Sequence, residues 1–240
     1  MELPFRGSNP FAPAKSMKIS CIIPVYNEAE RVEAVIEAVR GCKFIDEIIV
    51  INDGSTDDSE SALKRAKSIK FISYKKNRGK THALKIGLEH AKNDWIMTID
   101  SDLIGLKTQD INALIFPVKN NLAKVSMSLR KNSLLTYKLF GLDFVSGERL
   151  FEKRLIKNLN TLNSLSGFGF EIFLNKIIVQ EKLPIWSVKW GSIITPRKRV
   201  KSGFIKGTIN DFKMMMEIIS GLGPFGVIKQ FFAMFKLKQN

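Results

Sequence analysis

Metal-cage and disulfide chemistry have little to draw on in this chain. Its 240 residues include two cysteines, Cys21 and Cys42, and two histidines, His82 and His90. Neither pair has zinc-ligand spacing, so no structural zinc or disulfide framework is expected, and a reducing compartment fits. Long apolar runs are also missing. The most apolar stretch, Ile218–Phe235, is broken by Gly221, Gly223, Pro224, Gly226 and Lys229, a poor pattern for a spanning helix. Met1–Met17 holds Pro4, Pro10 and Pro13 and no apolar core, so a secretory leader is not expected. Acidic residues thin out toward the C-terminus. Residues 17–120 carry 16 Lys and Arg against 15 Asp and Glu, whereas residues 176–240 carry 12 against three. The net charge of +15 is therefore concentrated late in the chain. A basic C-terminal quarter points to nucleic acid, an anionic membrane face or a phosphate-bearing substrate, or else to a solvated surface that keeps the protein soluble.

What remains is ordinary globular material, 45% hydrophobic and 25% charged. The length suits one large domain, read as an arm over 1–16, a main domain over 17–207 and a helical extension over 208–240. Lys18–Val25 is a buried strand. Asn27 with Glu30 three places on marks a helix start, Val32, Val35, Ile36 and Val39 recur at helical spacing, and Gly41 ends that helix. Glu47–Ile51, Ile69–Tyr74 and Asp94–Ile99 are further strands, separated by helices over Ser59–Lys67 and Thr81–Lys92. This alternation predicts an α/β fold with a mostly parallel sheet and right-handed crossovers. Later segments read as a helix over Gln109–Phe116 stopping near Pro117, a strand over Ala123–Leu129, and a helix over Gly147–Leu159. Helices over Phe170–Lys182 and Thr208–Ile219 flank a strand over Leu183–Trp190.

In parallel sheets, ligands bind beyond the carboxyl ends of the strands. Three predicted strands exit there into polar clusters: Pro24–Glu28, Asn52–Ser55 and Asp100–Asp102. Asp100 and Asp102, two positions apart, repel one another unless a cation intervenes, and Mg²⁺ or Mn²⁺ suits such oxygen ligands. The plain alternative is a loop with two solvated aspartates. Asp53 is either a carboxylate for a nucleobase or ribose, or an Asx turn beside Gly54. Asn77-Arg78-Gly79-Lys80 leads into a helix N-terminus, where Lys80 and exposed backbone N–H groups favour phosphate. Glu171, an acid among apolar residues, is the candidate general base, or a helix-start carboxylate favourable with the dipole. His82 reads as structural, His90 as exposed, and Cys21 as strand core.

The ordered segments CIIPVYNEAERV, DEIIVINDGSTDDS, NRGKTHALKIGLEHAKNDWIMTIDSDL, FVSGERLFEKRLI and GFGFEIFL resemble family 2 glycosyltransferases of the GT-A fold, over about residues 17–183. The SGER turn looks most like the polyprenyl- and dolichyl-phosphate sugar transferase branch. The resemblance implies a nucleotide-sugar donor, UDP- or GDP-linked, and a single inverting displacement. It places Pro24, Tyr26, Glu28 and Asp53 on the nucleoside and Lys80 near the diphosphate or ribose. Asp100 and Asp102 take the metal, and Ser146 and Arg149 face the acceptor. Asp102, Glu171 and Arg149 are thus the expected catalytic residues. Asp143 either shares the acceptor side or caps the turn before Ser146. Lys153 and Arg154, just after that turn, are placed to help hold an acceptor phosphate. One departure stands out: Leu103-Ile104-Gly105 follows Asp102 where that branch often has Leu-Gln, and Ile104 offers no ligand atom.

Arg197, Lys198, Arg199, Lys201 and Lys206 form a basic span. Phe225, Ile228, Phe231, Phe232 and Phe235 then recur at helical spacing beside Lys229, Lys236 and Lys238. That is either an amphipathic helix lying in a membrane interface or a helix packed on the domain with solvated lysines. The expected setting is cytoplasmic, peripheral at the cytoplasmic membrane face, with a lipid-phosphate acceptor. The alternatives are a transferase with a soluble or glycan acceptor and a catalytically silent nucleotide- or nucleic-acid-binding protein. No nucleic-acid module is visible, so nucleic acid is not the expected partner.

Overall fold

In the computed structural model, residues 17–196 and 223–240 are described. The arm over 1–16, the basic span Arg197–Lys206, the helix expected over Thr208–Ile219 and the proposed boundary at 207/208 lie outside the described residues.

The first half alternates as its apolar pattern dictates. Strand β1 (Ile19–Val25) leads to α1 (Val32–Arg40), then β2 (Ile45–Asp53), α2 (Ser59–Arg65), β3 (Lys70–Tyr74), α3 (Lys80–His90) and β4 (Trp95–Thr98). There follow α4 (Thr108–Lys119), β5 (Val125–Arg130), α5 (Leu135–Phe140), β6 (Arg149–Glu152), α6 (Gly169–Gln180), β7 (Ile185–Trp190) and α7 (Pro224–Leu237). The seven strands form one sheet in the order β3-β2-β1-β4-β6-β5-β7. Six run in one direction; β6 opposes both β4 and β5. Alternation along β1 and β2 divides two cores. Ile19, Cys21, Ile23, Ile48 and Val50 pack with α1 and α4, whereas Ile22, Ile49 and Ile51 pack with α3 and α6.

Pro24 sits near the end of a central strand without cost. Ile22 and Pro24 point their backbone groups to the same side, toward β4. The β4 pairing stops at Ile22–Thr98, where Ile99 N–H donates to the Ile22 carbonyl, so nothing opposite Pro24 needs an amide proton.

Four expectations change. Asn27 is not a helix cap: it takes a positive φ of 56°, its side-chain oxygen accepts from the Thr56 amide, and α1 starts five residues later. Helix α4 runs through Pro117 to Lys119, because Pro117 and Val118 are buried and hold the last turn. Helix α5 had not been anticipated. The largest change is the segment after Gly147, expected as helix and found as β6. Its Glu, Arg, Leu and Lys content favours helix, but Arg149, Leu150 and Phe151 are buried in succession between β4 and β5. Strand pairing on both edges overrides that weak local preference.

The C-terminal helix α7 packs on the domain. Met234 is fully buried, Phe231 stacks near Tyr137 and Phe144, and Gln230 donates to the Ile172 carbonyl of α6. Asn240 and Gln239 then bond to β7 through Ser187 and Ile185. Among the described residues, no helix is long and apolar enough to cross a membrane.

Candidate active site

Parallel pairing brings the exits of β1, β2 and β4 to one edge of the sheet. Tyr26, 46% exposed, follows β1; Asp53, 2% exposed, ends β2; Asp100 and Asp102 follow β4. The three polar clusters therefore open on the same edge, as the strand pattern requires.

Asp53 is occupied by the protein itself. Its two carboxylate oxygens each accept a backbone N–H, from Arg78 and Gly79, both at 2.8 Å. The Asn77 side chain donates to the Asp53 carbonyl at 3.2 Å. Gly54, at φ +66°, lies so close to the backbone of Lys76 and Asn77 that a Cβ would collide with it. The β2 exit thus shapes the loop that presents Lys80, the first residue of α3. Asn52 is spent in the same way, on Ser73 and the Ser55 amide.

Lys80 Nζ lies 2.6 Å from Asp100 Oδ1 and 2.8 Å from Glu171 Oε1. Glu171 is 1% exposed at the start of α6, so the expected base is in fact ion-paired with a lysine. Arg130, at the end of β5, reaches Glu148 at 3.1 Å and stands 3.9 Å from both Asp100 and Asp143. Glu148 is fully buried and also accepts from Ser128 and Ser146. Glu28 pairs with Arg31 at 2.8 Å.

Charge is unevenly balanced here. Burial would raise the Asp100 carboxyl, but Lys80 and then Arg130 hold it below the usual carboxylate value. Asp102 lacks such help. Burial, followed by repulsion from Asp100, Glu28 and Glu148, pushes it up to about 7 despite Arg130. The site therefore carries more carboxylate than its own cations neutralise. Among the described residues, no group of three or more His, Cys, Asp or Glu side chains is arranged to hold a metal. Two carboxylates with open positions beside them fit an ion such as Mg²⁺ that draws its remaining ligands from water or phosphate. Gly147 supports this floor: a Cβ there would come within 3 Å of Lys80 Nζ and both Asp100 oxygens. Thr98 Oγ1 pins its carbonyl at 2.7 Å.

The acceptor-side expectations are revised. Arg149 is fully buried and points inward. Its Nε donates to the Ser146 carbonyl, Nη1 to Asn175 Oδ1 and Nη2 to the Phe144 carbonyl, each at 2.6 Å. Every side of the guanidinium is used to hold the Phe144–Glu148 turn. Ser146 is likewise enclosed, between Ser128 and Glu148. Asp143 caps the same turn through Ser133 and the Val145 amide. Lys153 and Arg154 lie at the far edge of the sheet, since β6 runs backward and Glu152 pairs with Trp95 at the start of β4. There Lys153 donates to the Ala91 carbonyl and Arg154 pairs with Glu152. Ile104 forms a short antiparallel bridge with Ile194. His82 packs edge-on against Tyr74, beside Arg78.

Arg130, Gly147 and Glu148 were missed from sequence. Arg130 was findable, because the strand-exit rule applied to β1, β2 and β4 points equally to the end of β5.

A fold of this layout, with acidic strand exits facing a lysine loop, defines a nucleotide-sugar transferase class. The family model for glycosyl transferase family 2 matches residues 20–178, about two thirds of the chain, and the chain belongs to that family. Poly-beta-1,6-N-acetyl-D-glucosamine synthase of Staphylococcus epidermidis is 34% identical over 90 residues, 36% of this chain and 22% of that protein. Undecaprenyl-phosphate 4-deoxy-4-formamido-L-arabinose transferase of Sodalis glossinidius is 36% identical over 100 residues, 38% of this chain and 31% of that protein. The chain thus matches only a minor part of these relatives' length. Glucosyl-3-phosphoglycerate synthase from Mycobacterium tuberculosis, solved with Mn²⁺, UDP and phosphoglyceric acid, superposes with a TM-score of 0.65 at 23% identity, over 85% of this chain and 78% of that one. The same enzyme solved with Mg²⁺ and UDP gives 0.66. The fold is GT-A.

Proposed function

We propose that this chain transfers a sugar from a UDP- or GDP-sugar to a polyprenyl or dolichyl phosphate by a single inverting displacement, with Mg²⁺ or Mn²⁺ at Asp100 and Asp102. The observation that carries this reading is the carboxylate surplus at the shared strand edge, which leaves Asp102 near 7. A bound divalent ion would neutralise charge building on the leaving diphosphate. The chain's own share is positional. Asp53 sets the Arg78–Lys80 loop, whose amides and ammonium border the diphosphate position, and Tyr26 lies exposed at the β1 exit for the nucleoside. Arg130, beside Asp100, is the cation nearest the acceptor side. A phosphate acceptor is already anionic and asks no proton transfer of Glu171, which serves instead as the second anchor of Lys80.

The lipid acceptor is supported by the SGER turn and by the undecaprenyl-phosphate relative. Peripheral membrane contact at the cytoplasmic face is supported by the outer sides of α5 and α7. Leu135, Leu139, Phe225 and Ile228 are exposed there, Phe140 joins the two helices through Phe232 and Phe235, and Lys138, Lys229 and Lys236 flank them. The glucosamine-polymer synthase supports a second reading, a glycan acceptor. The test is nucleoside diphosphate release across a donor panel, with EDTA, Mg²⁺ or Mn²⁺, crossed with lipid phosphates and soluble glycans. Metal-dependent release stimulated by lipid phosphate is expected. Stimulation by glycan alone selects the second reading, and no release with any donor rejects both.

A further inference from the structure

Lys80 holds two acids at once, and only one of them belongs to the cation site. Its ammonium is 2.6 Å from Asp100 and 2.8 Å from Glu171. Among the described residues, Lys80 is the only ion-pair partner of buried Glu171. The pocket is shaped around this pair, since only glycine at 147 leaves room for both the ammonium and the Asp100 carboxylate. A dication drawing on Asp100 meets a positive charge already in contact with that carboxylate, and their repulsion in a half-buried site is strong.

We infer that Lys80 is an exchangeable counter-ion. It neutralises Asp100 in the ligand-free chain, releases Asp100 when a divalent cation binds there, and turns to the donor diphosphate while Glu171 keeps hold of it. This rests on the assignment of the cation to Asp100 and Asp102. Glu171 is then a positioning residue, the pivot that keeps the displaced ammonium at the site. Because the released ammonium needs a new anion, diphosphate favours cation binding and the cation favours diphosphate, by the same factor. Free divalent ion alone binds weakly, and the site fills with both ligands together.

The test is Mn²⁺ binding, followed by electron paramagnetic resonance, in wild type, Lys80→Gln and Lys80→Arg, with and without UDP. Lys80→Gln removes the competing charge and is expected to bind Mn²⁺ alone at least about fivefold more tightly, the low end of ordinary coupling factors, while gaining less from UDP. Lys80→Arg keeps the charge and stays close to wild type. Unchanged or weaker Mn²⁺ binding by Lys80→Gln overturns the exchange and leaves the cation site standing. No Mn²⁺ bound by any form, with or without UDP, overturns both. A wild-type measurement guards against misfolded variants: acetylation of Lys80 by acetic anhydride, read by mass spectrometry against the other lysines. Mg²⁺ alone is expected to raise Lys80 modification several-fold, and Mg²⁺ with UDP to suppress it again. A Lys80 rate unmoved by Mg²⁺ overturns the inference.

Discussion

Gly147→Ala is the most demanding perturbation, because the cost comes from neighbours and not from backbone conformation. The added methyl would sit within 3 Å of Lys80 Nζ and both Asp100 oxygens. The lysine end can swing away; the aspartate, on a short side chain just beyond β4, cannot retreat without disturbing the strand exit. Overpacking of this kind costs about 1–3 kcal/mol. At about 2–4 °C per kcal/mol for a chain this size, the melting temperature should fall by about 2–12 °C. Mn²⁺ and UDP binding should weaken together. Gly79→Ala is the matched control: no atom lies within 4 Å of its Cβ position, but φ is +91°, so its penalty is conformational alone. Calorimetric melting with and without Mn²⁺-UDP checks both. Wild-type melting and wild-type ligand affinity in Gly147→Ala would refute the contact reasoning.

Asp102→Asn should flatten the pH dependence of stability. A carboxyl raised from 3.8 to about 7 costs the native state more as it ionises, so its contribution is best at low pH and is lost as pH rises through about 7. Melting curves from pH 5 to 8 in EDTA should converge at low pH, with the variant the more stable at pH 8; parallel curves would reject the shift. Arg149→Met should cost about 3–5 kcal/mol, since it orphans buried carbonyls and Asn175. Normal stability with a raised acceptor KM would instead return Arg149 to the acceptor side. Met234→Ser should destabilise by about 2–4 kcal/mol, whereas Phe225→Ser, 86% exposed, should leave melting unchanged and reduce sedimentation with phosphatidylglycerol vesicles. Equal vesicle binding by Phe225→Ser would remove α7 from the proposed membrane contact.

The first four strands and three helices were legible because each buried strand is a short Ile- and Val-rich run and each helix shows its own spacing. The acidic exits followed from strand direction. The second half was harder to read for a physical reason. β6 is a strand only because β4 and β5 lie on either side of it, a condition no local pattern records. Misreading it as helix also misplaced Lys153 and Arg154, which a reversed strand carries to the opposite edge. Arg149 shows a related limit. An arginine after a turn suggests an outward-facing charge, and only the packed fold reveals three internal acceptors waiting for it.

The two hydrogen bonds from Asp53 to the Arg78 and Gly79 amides have a consequence for how this site will be mapped by mutagenesis. Removing that carboxylate slackens the loop that aims Lys80, so donor affinity would fall even if Asp53 never touches a nucleotide. A scan scored by activity alone would credit the aspartate with direct recognition. The distinguishing signature is nucleobase discrimination: a tether lowers affinity for every nucleotide alike, whereas a base-reading group changes their ranking.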